Sequence, residues 1–275
     1  MSGTETGPVL QVTGLRKTYG SAVAIDGVDF TLERGGSLGI VGESGSGKTT
    51  TARILVGLER ATAGQVLLDG EDVTTPSRRD RRRRARSIQM IFQDPYLSFD
   101  PRLTVEESIA EPLRLHGHGD RARIRATVAT LCDQVGLSTR NAAALPRDLS
   151  GGQRQRAAIA RALGIEPRVL VLDEAVAALD VSIQAQVLTL LDRIRRDTGV
   201  SYVFVSHDLA VVRYATDTVL VMRHGAVVEE GGTEQVLSAP RHPYTQLLLA
   251  SVPAPGWDPA AVAAANRALA PADRG

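Results

Sequence analysis

The residues Gly42-Glu43-Ser44-Gly45-Ser46-Gly47-Lys48-Thr49 fit the pattern G-x-x-x-x-G-K-[ST]. Glycines at these spacings let backbone N–H groups converge on an anion, and a following helix N-terminus adds a favourable dipole. Lys48 would neutralise the β- and γ-phosphates of a nucleotide, and the Thr49 hydroxyl would ligate Mg²⁺. A Gly/Ser linker is the competing reading; the apolar run before the loop and the helical spacing after it weigh against one. A second pattern is Val169-Leu170-Val171-Leu172 ending in Asp173-Glu174. Buried strands rarely end in paired acids without a cationic or catalytic task. Asp173 is placed to hold Mg²⁺ through water, and Glu174 to orient and deprotonate an attacking water, worth about 10²–10⁴ in rate. Alone, the pair reads equally well as a solvated strand end with a helix N-cap; the phosphate loop tips the balance. A third run, Val203-Phe204-Val205, ends in Ser206-His207-Asp208, and His207 could hydrogen-bond a γ-phosphate as charge develops on it. Leu149-Ser150-Gly151-Gly152-Gln153 adds a Ser-capped helix start with bare backbone donors, another potential phosphate cradle. The pattern does not say whose phosphate it would hold.

These residues need elements to place them. Val9–Val12, Val23–Leu32 and Ser37–Val41 read as strands, with a turn at Glu33-Arg34-Gly35-Gly36. Helical spacing follows over Thr51–Leu58, and a hairpin-like stretch covers Gln65–Gly70. Thr104 with Glu107 makes a capping box that opens a helix toward Leu115. Ile124, Val128, Leu131 and Val135 mark an amphipathic helix ended by Gly136, and Ser150 begins another that ends near Gly164. Strand Val169–Asp173, a helix with Ile183, Val187, Leu190 and Ile194 on one face, and strand Val200–Ser206 come next. Val219–Met222 and Ala226–Glu229 read as a hairpin joined through His224-Gly225. Alternating strands and helices predict an α/β core, with the helices of residues 103–164 inserted in it and a nucleotide site at the carboxyl edge of a parallel sheet. The Ala/Pro-rich tail after Pro253 is expected to be loosely ordered.

Composition narrows the classes. The chain has 275 residues, 43% hydrophobic and 23% charged, with a net charge of +1. Such a balance gives no whole-protein attraction to nucleic acid or acidic lipid. The longest uncharged apolar runs fall well short of a membrane span. Cys132 is the single cysteine, which excludes an intramolecular disulfide and a multi-cysteine metal site, and its helical setting predicts a core position. Met1–Pro8 lacks a basic region followed by an apolar core, so a cytosolic protein is expected. Of 32 basic residues only Lys17 and Lys48 are lysines. The run Arg78–Arg86 is expected to be a solvated face, in preference to a nucleic-acid patch or a contact with anionic headgroups. His116 and His118 flank Gly117 in a loop and are not expected to hold a metal.

Leu149-Ser150-Gly151-Gly152-Gln153, lying between the phosphate loop and the paired acids, matches the signature of ATP-binding cassette (ABC) ATPases, which the chain resembles over about residues 9–253. The resemblance implies a P-loop NTPase core of the ABC-ATPase type: α/β, with an N-terminal antiparallel β region, an inserted helical subdomain and a short C-terminal extension. It divides the chain into an ATP-binding core with its β subdomain (1–92 and 165–232), a helical signature subdomain (93–164) and the extension (233–275). The implied cofactors are ATP and Mg²⁺. Gly42, Ser44, Gly45, Ser46, Gly47, Lys48, Thr49 and Thr50 would contact nucleotide, and Tyr19 matches the aromatic that stacks on adenine. Gln93, in Phe92-Gln93-Asp94-Pro95, matches the glutamine that approaches Mg²⁺ and the attacking water while sensing the membrane partner. Thr49, Gln93 and Asp173 would thus serve the metal, and Glu174, Gln93 and His207 catalysis. Two cassettes would pair head to tail, with Ser150, Gly151, Gly152 and Gln153 touching the γ-phosphate of the opposing subunit and Asp180 crossing the interface.

A narrower likeness is carried by Gln89–Tyr96, Ser182–Gln186 and His242-Pro243-Tyr244-Thr245, which resemble the ATPase subunits of oligopeptide, dipeptide and nickel importers. It implies two integral-membrane permease subunits, a second ATP-binding subunit of the same or a homologous chain, an extracytoplasmic solute-binding protein, and a place at the cytoplasmic face of the membrane. No nucleic-acid partner is expected. The alternatives are a soluble cassette ATPase acting on ribosomes or nucleic acid, and the motor of an exporter. The chain departs from the family at Ala175-Val176-Ala177, where Pro-Thr-Ser or Pro-Val-Ser is common; this could loosen the turn toward Asp180.

Overall fold

The computed structural model describes residues 7–74 and 78–252. A long hairpin, β1 (Leu10–Tyr19) and β2 (Ala22–Leu32), leads into β3 (Ser37–Val41) and α1 (Lys48–Val56). A second hairpin, β4 (Ala63–Leu68) and β5 (Glu71–Asp72), precedes α2 (Arg78–Ser87) and β6 (Ile88–Ile91). Helices then dominate: α3 (Val105–Leu115), α4 (Arg121–Gln134), α5 (Thr139–Ala142) and α6 (Gly151–Leu163). The alternation resumes with β7 (Val169–Asp173), α7 (Val181–Thr198), β8 (Ser201–Val205), α8 (Leu209–Ala215) and β9 (Thr218–Arg223). β10 (Ala226–Gly232), α9 (Thr233–Ser238) and α10 (Pro243–Ala250) follow.

The strands form two sheets, an antiparallel one of order β2-β1-β4-β5 and a six-stranded one of order β10-β9-β3-β8-β7-β6. Within the larger sheet β6, β7, β8, β3 and β9 run parallel, and β10 pairs antiparallel to β9. Every residue of β3, β7 and β8 is buried, as continuous apolar strands require when both faces of a sheet are covered. Alternate residues serve different cores. Leu170, Leu172, Tyr202 and Phe204 pack with the helices of the insertion and α7. Val169, Val171, Val203 and Val205 pack with α1 and the antiparallel sheet. Because β3, β8 and β7 are parallel neighbours, their carboxyl ends lie side by side, and the phosphate loop, the paired acids and His207 emerge together.

Most expected elements form. The Thr104 capping box closes, with Thr104 N–H donating to Glu107 Oε2 at 2.8 Å and Glu107 N–H to Thr104 Oγ1 at 3.3 Å. Cys132 is buried in α4. Three readings need correction. The first strand runs on to Tyr19, beyond the apolar Val9–Val12, because register shifts after Val12 let exposed residues share the hairpin. β6 was not expected; its four residues are too few to show a period. The arginine run is solvated at Arg81, Arg82, Arg83 and Arg86, but Arg84 is 3% exposed. Its guanidinium donates to Leu55 O at 2.9 Å, Val73 O at 2.7 Å and Ile54 O, closing the C-terminal turn of α1. Burial lowers its pKa to about 10, so it stays charged at neutral pH. The tail after Pro253 lies outside the described residues. Among the described residues no helix is long and apolar enough to cross a membrane, and no cluster of potential metal ligands with three or more His, Cys, Asp or Glu forms.

Candidate active site

The phosphate loop leaves β3 and enters α1 through two positions that only glycine can fill. A Cβ on Gly42 would lie 2.2 Å from the Met222 carbonyl oxygen, and one on Gly47 would lie 2.6 Å from that of Ala24. Gly47 caps α1 with φ 102°, a left-handed conformation, and no side chain caps the helix, so its first N–H groups are presented to the cleft. Lys48 is buried, and its Nζ donates to the carbonyls of Gly42 at 2.8 Å and Glu43 at 2.7 Å. Burial lowers the ammonium pKa; the charges of Glu174, Asp173 and Glu43 oppose that shift.

Facing the loop are the acids at the end of β7. Thr49 Oγ1 donates to Asp173 Oδ1 at 3.3 Å. Burial raises the Asp173 pKa, and the neighbouring Glu174 charge raises it further. Glu174 leaves the strand at φ 49°, unusual for a residue with a side chain, while its N–H donates to Val205 O at 2.8 Å. This turn brings Glu174 Oε1 to 3.1 Å from His207 Nδ1, across two strand ends. Ser44, Gly45, Gly47, Lys48, Thr49 and Thr50 line a cleft of about 580 Å³ together with Glu174 and His207. Converging N–H donors, an ammonium, a hydroxyl–carboxylate pair and a carboxylate–imidazole pair suit the binding and hydrolysis of a phosphoanhydride. Gly42 and the buried Ser46 belong to the same loop below the lining.

Other expected site residues are not among those that line this cleft. Tyr19 ends β1, 49% exposed, with the Lys17 ammonium 4.6 Å over its ring. Gln93 is exposed just past β6, the strand beside β7. Ser150 caps α6: Gln153 N–H donates to Ser150 Oγ at 3.3 Å, and Ser150 N–H to Gln153 Oε1 at 2.9 Å. Asp180 caps α7 by accepting from Ile183 N–H at 2.9 Å. These two caps adjoin, since a Cβ on Gly152 would meet Ile183 Cγ2 at 2.5 Å and one on Gly151 would meet Leu179 Cδ2 at 3.4 Å. None of Tyr19, Gln93, Ser150–Gln153 and Asp180 lines the cleft. The Ala175-Val176-Ala177 turn is closed by Ala177 N–H donating to Glu174 O at 3.0 Å and Leu179 N–H to Val176 O at 3.2 Å. Two contributors escaped sequence reasoning. Ala24 of β2 lines the cleft, and Tyr244 Oη accepts the Glu43 N–H at 3.0 Å. Ala24 carries no local signal, and the His242-Pro243-Tyr244-Thr245 stretch marks Tyr244 by resemblance without showing its tertiary contact with the loop.

A family model described as ABC transporter matches residues 25–177, and one described as oligopeptide/dipeptide transporter, C-terminal region, matches residues 228–272. The oligopeptide transport ATP-binding protein OppD of Mycobacterium tuberculosis is 48% identical over 246 residues, covering 90% of this chain but 40% of that protein. The chain thus spans about two fifths of the length of that relative. A peptide import ATP-binding protein of Brucella ovis is 46% identical over 259 residues, covering 93% of this chain and 81% of that protein. Among solved structures, the dimeric ATP-binding cassette MJ0796 in a post-hydrolysis state bound to ADP and Pi gives a TM-score of 0.74 at 29% identity, over 82% of this chain and 98% of that one. Sequence match, fold and cleft agree: the chain belongs to the ABC transporter family.

Proposed function

We propose that this chain is the ATP-hydrolysing subunit of an ABC importer, driving uptake of peptides or a related small solute through separate permease subunits. The observation that carries this reading is the cleft where Lys48, Thr49, Glu174 and His207 meet, with Asp173 bonded to Thr49. The match of residues 228–272 to an oligopeptide/dipeptide transporter region and the names of the relatives favour the peptide class.

In this reading the loop N–H groups from Ser44 to Thr50 and the Lys48 ammonium hold the phosphates, and Tyr19 stacks on adenine. A hard divalent cation fits the oxygen donors present: Thr49 and Asp173 already converge, and a cation would counter the burial that holds the Asp173 pKa up. Thr49, Asp173 and Gln93 would hold Mg²⁺, which when bound supplies charge neutralisation to the phosphates. Glu174 takes the proton of the attacking water, and the His207 ring orients its carboxylate. With Nδ1–H donating to Glu174, a second donation from Nε2 to a γ-phosphate oxygen requires the imidazolium form. Ser150, Gly151, Gly152, Gln153 and Asp180 cluster outside the cleft and would complete the site of a second cassette. The dimeric MJ0796 cassette supports such pairing.

The division into a nucleotide core (1–92, 165–232), signature subdomain (93–164) and extension (233–275) follows the same reading. The partners are two permeases, a like or homologous second ATPase and, indirectly, a solute-binding protein, at the cytoplasmic face of the membrane. The test is purification of the tagged chain from detergent-solubilised membranes with an assay of Mg²⁺-dependent ATP hydrolysis. Co-elution of two polytopic permeases with ATPase activity is expected; recovery of ribosomal proteins in their place would overturn the transporter reading.

A further inference from the structure

Tyr244 links the end of the described chain to the phosphate loop. It is 0% exposed in α10, and the Arg223 guanidinium lies 4.8 Å over its ring. Its ring packs in a core that includes Val41, the residue before the loop. α10 is itself anchored: the Glu229 carboxylate accepts the N–H groups of Arg241 at 2.8 Å and His242 at 3.1 Å, and His242 Nδ1 accepts that of Tyr244 at 3.1 Å. The hydroxyl thus stands at a fixed place.

Its bond to the loop engages one particular peptide group. The Glu43 N–H, held by Tyr244 Oη at 3.0 Å, and the Gly42 carbonyl, which accepts Lys48 Nζ at 2.8 Å, belong to the same planar unit. A peptide plane flanked by glycine can rotate at little steric cost, and Gly42 sits at φ 147° with no side chain to resist such rotation. Rotation would carry the carbonyl away from Lys48. One edge of the plane is therefore clamped by the C-terminal extension and the other by the lysine of the site.

We propose that Tyr244 is a positioning residue for phosphate binding: its hydroxyl fixes the Gly42–Glu43 peptide plane, and that plane aims Lys48 at the nucleotide. The inference rests on the ATPase reading above and makes the extension a working part of the nucleotide site. The test is Tyr244→Phe in the full chain, which removes the hydroxyl and keeps the ring. The Kd for a fluorescent ATP analogue and the KM for ATP should rise together by about three- to tenfold, the range for one neutral hydrogen bond. The kcat should change less than about twofold, as expected when ground-state and transition-state binding are lost equally. Leu247→Ala provides the contrast, since it deletes a buried side chain of α10 that makes no hydrogen bond to the loop. It should lower the melting temperature and leave the Kd at the wild-type value. A wild-type Kd and KM in Tyr244→Phe would overturn the proposal. So would a loss of affinity in Leu247→Ala equal to that in Tyr244→Phe, because affinity would then follow packing alone. A wild-type chain that binds no ATP would overturn the ATPase reading itself, a result visible before any variant is compared.

Discussion

One position in the basic helix α2 should behave unlike its neighbours. Arg84 donates to the carbonyls of Ile54 and Leu55, in the last turn of α1, and to that of Val73. Arg84→Ala removes all three donors, and a buried carbonyl left without a partner costs about 1–3 kcal/mol. Ile54 O keeps the Gly57 N–H at 3.1 Å, so the Leu55 and Val73 carbonyls lose their donor and the Ile54 carbonyl loses part of its bonding. Loss of a cation near a helix C-terminus adds about 0.5 kcal/mol. Against this, the variant no longer desolvates a guanidinium, a penalty visible in the Arg84 pKa of about 10. The net expectation is about 1–3 kcal/mol, read as a lower urea midpoint with an unchanged slope. Arg84→Lys should recover about a third, since one ammonium cannot span three carbonyls. Arg82→Ala, at an exposed position, should stay within about 0.5 kcal/mol. If Arg84→Ala and Arg82→Ala unfold at the same urea concentration, the capping argument is wrong.

Three further outcomes are expected. Glu174→Gln should cut phosphate release by at least about 10²-fold while a fluorescent ATP analogue still binds; unchanged release would remove Glu174 as the base. Ser150→Arg should stop hydrolysis only through a paired site, so normal activity from a monomer of that variant would contradict pairing. Asp173→Asn should abolish turnover yet raise the melting temperature at neutral pH. Burial and the Glu174 charge raise the folded-state pKa of Asp173, so folding takes up a proton and wild-type stability falls as pH rises through that window. Thermal scans should show the gain of Asp173→Asn shrinking as pH drops toward the ordinary carboxylate range; a gain independent of pH would refute the assignment.

What was legible in the sequence was the chemistry that residue types alone dictate. Asp173, Glu174 and His207 end runs whose apolar character demands burial, and Lys48 and Thr49 follow a third such run across the phosphate loop, so their convergence followed from strand order. The Thr104 and Ser150 caps were readable for the same local reason. Arg84 was hidden because its neighbours are also arginines and nothing local distinguishes the one that turns inward. Tyr244 stood out only by resemblance, and its contact with the loop was hidden because its partner Glu43 lies 201 residues away. The far half of β1 was hidden by bulges that break the two-residue period.

The alternation of β7 between two cores has a consequence for its final acids. Val169 and Val171 face α1, Leu170 and Leu172 face the helices, and Asp173 continues the odd series to meet Thr49. Glu174 falls on the even count, turns out of the strand at φ 49° and meets His207. The two tasks proposed for these acids, holding a cation and moving a proton, are thus sorted by parity along one strand. Exchanging the two acids would leave the charge and mass of the chain unaltered, yet send the longer side chain toward α1 and withdraw the shorter one from the histidine. The site depends on an odd-or-even count that no tally of residues contains.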